Sequence, residues 1–214
     1  SSPRRVAHDN DDHAKWLSDV LTALGIERAN LVGISNGSWL ILKFAAHMPH
    51  RVARAMLMSA NGILPVRFPY SLARVVDGAA VASAKDFLAG ALLTRGMVRR
   101  AVSGTYVVDA EADPHELEWF YLLAKHYRFR FPPGPLPDAD LAQLTAPTLL
   151  LMGEHEHFFP VEGVIARARR LMPRVVTEVV PAVGHNMCTD NPPLINERIR
   201  SFFADSARVG RVQI

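Results

Sequence analysis

Two hydrophobic rhythms alternate along this chain: short unbroken apolar runs, and longer stretches with apolar residues every three or four positions. The first is the pattern of a buried strand, the second of an amphipathic helix. The polar run Asp9-Asn10-Asp11-Asp12 predicts a helix start, Leu17, Val20, Leu21 and Leu24 its apolar face, and Gly25 its end. Residues 30–34 read as a strand. The helix after them presents Leu40, Ile41, Phe44, Ala45 and Met48 on one face, with Pro49 near its end. Residues 55–60 read as a second buried strand. The alternation resumes with a strand over 147–152, a helix over 161–171, a strand over 175–180 and a helix over 192–203 whose Ile195, Ile199, Phe202 and Phe203 face inward. Strands and helices taking turns predict an α/β fold, a mostly parallel sheet with flanking helices.

Between about 62 and 143 the alternation breaks. Asp113-Pro114 followed by Glu116 predicts one helix start there, and Pro132-Pro133-Gly134-Pro135 a loop. No repeat or low-complexity segment is visible.

Composition narrows the function. In 214 residues, 49% are hydrophobic and 21% charged, as in a globular domain with a real core. The net charge is +3 and the basic residues are scattered, so a nucleic-acid partner is not expected. The single cysteine, Cys188, excludes an internal disulfide. Residues 1–15 are too polar for a signal peptide, and Asp77, Lys85 and Asp86 interrupt the longest apolar stretch. A cytoplasmic protein without a membrane partner is expected.

Gly33-Ile34-Ser35-Asn36-Gly37 fits G-x-S-x-G between a strand and a helix, the setting of a nucleophile elbow. In that reading Ser35 is lifted above the sheet edge on a strained turn. Gly33 and Gly37 are small because strand and helix backbones pass close together. The Asn36 amide and the helix N-terminus face a developing oxyanion. The competing reading is an ordinary strand-to-helix loop with a serine cap.

Two further loops follow strands, and a parallel sheet brings such loops to one edge. One carries Glu154, His155, Glu156, His157, Phe158, Phe159 and Pro160, the other Gly184 and His185. The order serine, acid, histidine is that of α/β hydrolases. In these motifs the chain resembles the α/β-hydrolase superfamily, in its esterase and C–C-hydrolase branch, over essentially its whole length. The family's acid lies three residues past the glycine of a P-T-L-L-L-x-G strand and a proline seven past it; Gly153, Glu156 and Pro160 match. Gly184, His185 and the helix from Pro192 match the family's histidine loop. The resemblance implies Ser35 as nucleophile, His185 as general base and Glu156 as the orienting acid. The acid is glutamate where aspartate is commoner, and Ser38 stands where a second glycine is frequent. Glu154 is the alternative acid. His155, His157 and His185 with Asp190 are an alternative metal set, but no established metal spacing is present, and no metal or cofactor is expected. His47, His50 and His126 read as helix-end or helix-surface residues.

By the same resemblance the core comprises residues 1–61 and 145–214, and residues 62–144 form an inserted helical cap. Its aromatic residues, Trp119, Phe120, Tyr121, Tyr127, Phe129 and Phe131, either line a substrate pocket or pack the cap; Trp119 and Tyr121, with Phe158 from the acid loop, are the pocket candidates. The implied activity is hydrolysis of a small carboxylic ester or related acyl compound through an acyl-enzyme. C–C hydrolysis, lactone hydrolysis, cofactor-free haloperoxidation, or an inactive or binding role are the alternatives. Family members carry further strands before the first helix, with a loop that supplies a second oxyanion donor. Their lack makes the fold N-terminally incomplete and is expected to leave the strand at 30–34 with an open edge, inviting an additional N-terminal segment or self-association.

Overall fold

The structure, a computed structural model, describes residues 12–67, 115, 118, 121–122 and 134–209. Asp9, Asp113, Pro114, His126, Trp119, Phe120, Tyr127, Phe129 and Phe131 lie outside the described residues, as does most of the expected cap.

The described elements follow the order read from the pattern: α1 (Asp12–Ala23), β1 (Ala29–Ile34), α2 (Asn36–His47), a short 3-10 turn (Pro49–Arg51), β2 (Val52–Met58), α3 (Asp138–Ala142), β3 (Thr148–Gly153), α4 (Val161–Leu171), β4 (Val175–Val180), α5 (Met187–Asp190) and α6 (Pro192–Val209). The four strands form one parallel sheet in the order β1-β2-β3-β4. Parallel neighbours need a crossover, and α2 and α4 supply two of them.

The strands alternate two faces. Ala55, Leu57, Leu150 and Met152 join Trp39, Leu42, Phe44, Leu141, Val164 and Ala168 in one core under α1, α2, α3 and α4. Met56, Met58, Leu149 and Leu151 face the other way and pack with Val183, Met187 and Ile195 under α5 and α6. β3 is buried at every position, as befits an inner strand of a parallel sheet.

The apolar stripe of α1 differs from the sequence expectation. Ala14 and Leu21 are buried, whereas Val20 is 37% and Leu24 67% exposed. Spacing identifies a stripe, but the neighbours available to cover it decide which part is buried. Among the described residues β1 pairs only with β2, and its Val32 is 44% exposed.

The segment after β2, whose Ile63 and Val66 are still buried in the core, is joined to the segment that resumes at Leu136. The Leu136 N–H donates to the Gly62 carbonyl at 2.8 Å. The Arg167 guanidinium on α4 donates to the carbonyls of Ile63 and Leu136, and to the Asp138 carboxylate at 2.6 Å. Arg170 reaches the other Asp138 oxygen at 3.1 Å. Hydrogen bonding from Arg167 is the main reason that the Asp138 carboxyl is held below its ordinary range. Leu141 and Leu144 lie in the same core as α2 and α4.

Candidate active site

Ser35 has φ 52° and ψ −113°, a left-handed conformation that costs a non-glycine residue strain. It separates β1 from α2 with no intervening loop. The turn is closed by the Ser35 N–H, which donates to the Met58 carbonyl at 2.9 Å, and by the Ser38 N–H, which donates to the Ser35 carbonyl at 3.0 Å.

The glycines on either side are not equivalent. A β-carbon at Gly33 would lie 2.5 Å from the Gly37 carbonyl carbon and 2.8 Å from the Ser38 nitrogen, so strand and helix touch backbone to backbone there. A β-carbon at Gly37 meets nothing within 4 Å. The expectation that both positions must be small is therefore corrected: the close approach falls on the Gly33 side chain position alone.

Ser38, the departure from the family pattern, is fully buried behind the turn. Its hydroxyl donates to the Gly33 carbonyl at 2.8 Å and accepts the Met58 N–H at 3.2 Å. It joins β1, α2 and β2, a role that a glycine cannot fill.

The sheet register brings the other two residues to the same edge. Ile34 pairs with Met58, Met58 with Leu151, and Gly153 with Val180, so the chain leaves all four strands at the edge where Ser35 stands. A β-carbon at Gly153 would lie 2.5 Å from the Gly184 carbonyl oxygen, which lets the loop before His185 press against the end of β3. That loop is held by two acidic side chains: Glu154 accepts the Ala182 N–H at 2.9 Å and Asp190 accepts the Gly184 N–H at 2.7 Å.

The structure puts Glu156, not Glu154, against the histidine. His185 Nδ1 lies 2.9 and 3.1 Å from the two Glu156 carboxylate oxygens. Glu156 is 3% exposed. Burial pushes its carboxyl up, but hydrogen bonds from His185 and the Phe158 N–H at 2.8 Å, with the charge of His185, outweigh burial and hold it below its ordinary value. Glu154 and His155 are half-exposed and 3.8 Å apart. Among the described residues no three histidine, cysteine, aspartate or glutamate side chains converge as a metal set.

Phe158 stands edge-on to the His185 ring, centroids 4.7 Å apart, and the buried Phe159 lies at 6.0 Å. The two rings give the imidazole an apolar setting. Tyr121 is helical and half-buried.

Two residues after β2 were not singled out from the sequence. Ser59 is fully buried at φ 42°, and its hydroxyl donates to the His185 carbonyl at 2.9 Å. Asn61 is 1% exposed and donates from Nδ2 to Oδ1 of Asn36 at 2.9 Å. The signal available was a cluster of small polar residues at the carboxyl end of a parallel strand, where such sheets carry their sites. None of the described helices is long and apolar enough to cross a membrane.

Comparison with known proteins agrees with this fold. The α/β-hydrolase fold family model matches residues 1–192. The chain is 27% identical over 221 residues to the uncharacterized carboxylesterase nap of Bacillus subtilis, covering 99% of this chain and 68% of that protein. It is 28% identical to carboxylesterase YbfK of the same organism, covering 94% of this chain and 66% of that one. The crystal structure of naproxen esterase from Bacillus subtilis superposes with a TM-score of 0.68 at 26% identity, covering 94% of this chain and 68% of that chain. The chain thus spans about two thirds of the length of these relatives. On the match to the family model, with a parallel sheet and a strained strand-to-helix turn of the kind that the fold requires, the chain belongs to the α/β-hydrolase fold family of enzymes.

Proposed function

We propose that this chain carries the catalytic site of a carboxylic-ester hydrolase that works through an acyl-enzyme. The observation that carries the reading is the bond between the buried Glu156 carboxylate and Nδ1 of His185, at the sheet edge where Ser35 stands on its left-handed turn. The names of the relatives support the ester as substrate class.

The chemistry follows from the protonation states. A glutamate held below its ordinary value is ionised at neutral pH and can only accept hydrogen bonds. Nδ1 of His185 must then carry the ring hydrogen, which leaves the lone pair on Nε2. Nε2 takes the proton of the Ser35 hydroxyl as its oxygen attacks the ester carbonyl. The Asn36 N–H stabilises the negative oxygen of the tetrahedral intermediate. Collapse expels the alcohol, which takes the proton from Nε2. Water, deprotonated by the same nitrogen, then attacks the acyl carbonyl, and collapse releases the acid as Nε2 returns the proton to the Ser35 oxygen. Glu156 stays ionised throughout and stabilises the imidazolium. In this reading residues 62–144 form the cap, and Trp119, Tyr121 and Phe158 contribute to the acyl pocket.

The test is labelling with a fluorophosphonate probe and turnover of p-nitrophenyl acetate. Ser35 is expected to carry the label, and Ser35→Ala to lose both label and turnover. Labelling that persists in the alanine variant removes Ser35 from the reaction.

A further inference from the structure

Asn61 lies three residues beyond β2, and its amide neither ionises nor acts as a nucleophile in ester hydrolysis. Both ends of its buried amide are nevertheless engaged. Its Oδ1 accepts the Gly62 N–H at 2.8 Å, and its Nδ2 donates to Oδ1 of Asn36 at 2.9 Å. A backbone N–H can only donate, so the Gly62 bond fixes which end of the Asn61 amide is oxygen. It thereby fixes which end of Asn36 faces it. The backbone N–H of Asn61 also donates to the Ser35 carbonyl at 3.3 Å.

These two contacts converge on one peptide. The Ser35 carbonyl and the Asn36 N–H belong to the same plane and point in opposite directions. Whatever holds the carbonyl therefore aims the N–H. The backbone N–H groups of Ser38, Trp39 and Asn61 grip the carbonyl from behind, and the Asn61 side chain tethers the residue in front. Asn36 is exposed at the mouth of the turn, and its side chain would otherwise be free to pull on that peptide.

We infer that Asn61 is a positioning residue for the oxyanion amide of Asn36, an inference that rests on the esterase reading above. It touches no substrate atom and acts by fixing the plane of the Ser35–Asn36 peptide. Its loss therefore weakens transition-state binding and leaves ground-state binding almost untouched.

The experiment compares the wild-type chain with Asn61→Ala, Asn36→Ala and the double variant. It measures p-nitrophenyl acetate kinetics, the rate of fluorophosphonate labelling of Ser35, inhibition by a trifluoromethyl ketone, and thermal melting. Misaiming a donor costs less than the roughly 100–1,000-fold penalty for removing one. Each single variant is expected to lose about tenfold in kcat and labelling rate, with KM within about twofold, and the ketone to weaken by the same factor. Both variants cut one bond, so the double variant is expected to be no worse than either single one. Undiminished kcat and ketone binding in a folded Asn61→Ala variant overturn the inference even if the melting temperature falls, and so do additive losses in the double variant. If Asn61→Ala does not fold, full turnover by the exposed-site variant Asn36→Ala overturns it equally. A wild-type chain that is not labelled at Ser35 defeats the esterase reading and this inference together; a labelled wild type with an undiminished Asn61→Ala rate defeats the inference alone.

Discussion

Gly153 and Gly184 touch through their backbones: a β-carbon on the first would lie 2.5 Å from the carbonyl oxygen of the second. The contact sets how deeply the His185 loop seats against β3. Gly153→Ala must push that loop away, because neither backbone can yield as a flexible side chain would. A loss of about 1–3 kcal/mol in stability is expected, with a fall in kcat from the displaced imidazole. Chemical denaturation and steady-state kinetics on the same preparation check both.

Gly33→Ala and Gly37→Ala should part company. The first places a methyl group against the Gly37 backbone, and an overpacking loss of about 1–3 kcal/mol is expected. The second places it in open space on the first turn of α2, where alanine is the better helix former by about 1 kcal/mol. Melting curves of the pair decide whether the close approach is one-sided.

Glu156→Gln removes the acceptor that holds Nδ1–H and permits the wrong tautomer. A fall in kcat on the order of 10⁴-fold with little change in KM is expected. Glu154→Gln loses an exposed bond to the Ala182 N–H, and its effect should stay within a few-fold. Reversed effects would make Glu154 the orienting acid.

The lowered Glu156 carboxyl also carries a stability signature. A group with a depressed folded-state value contributes stability that is fully present above its unfolded value of about 4.5 and is lost as pH falls through the folded one. The stability gap between the wild type and Glu156→Gln should therefore be widest above pH 4.5 and narrow progressively below it. Urea titrations at several acid pH values read this directly. A gap that widens towards acid would mean that the carboxyl is raised, not lowered.

Ser38→Ala should remove the buried hydroxyl that ties α2 to the ends of β1 and β2, at about 0.5–1.5 kcal/mol. Ser38→Gly should be at least as costly, despite glycine being frequent at this position in the family. Equal stability of all three would show that the hydroxyl is incidental.

Much of the fold is legible in the residue pattern because a parallel sheet writes itself as apolar runs between amphipathic stretches. The ends of α4 and β4 fall where the spacing predicts, at 161–171 and 175–180. The proposed site residues are read differently: the turn after β1 and the loops after β3 and β4 match the family's offsets from their strands, and the structure brings Glu156 to His185. What spacing does not convey is who covers whom. Leu24 fits the apolar stripe of α1 yet is 67% exposed, because no described element lies over it. Ser38, Ser59 and Asn61 are small and polar, ordinary in any loop, and only the fold reveals that each is buried with its hydrogen bonds spent on the site.

The clasp that Arg167 makes between Ile63, Leu136 and Asp138 has a consequence for how such a protein can diversify. The Arg167 clasp joins Ile63 to Leu136 and Asp138 with bonds that use no residue between Arg67 and Gly134. The entropy of closing a loop grows only logarithmically with its length, about 0.6 kcal/mol per doubling. Changing the length of the chain between Arg67 and Gly134 is therefore expected to leave the sheet-edge residues Ser35, Glu156 and His185 seated on a scaffold whose seam is already sewn.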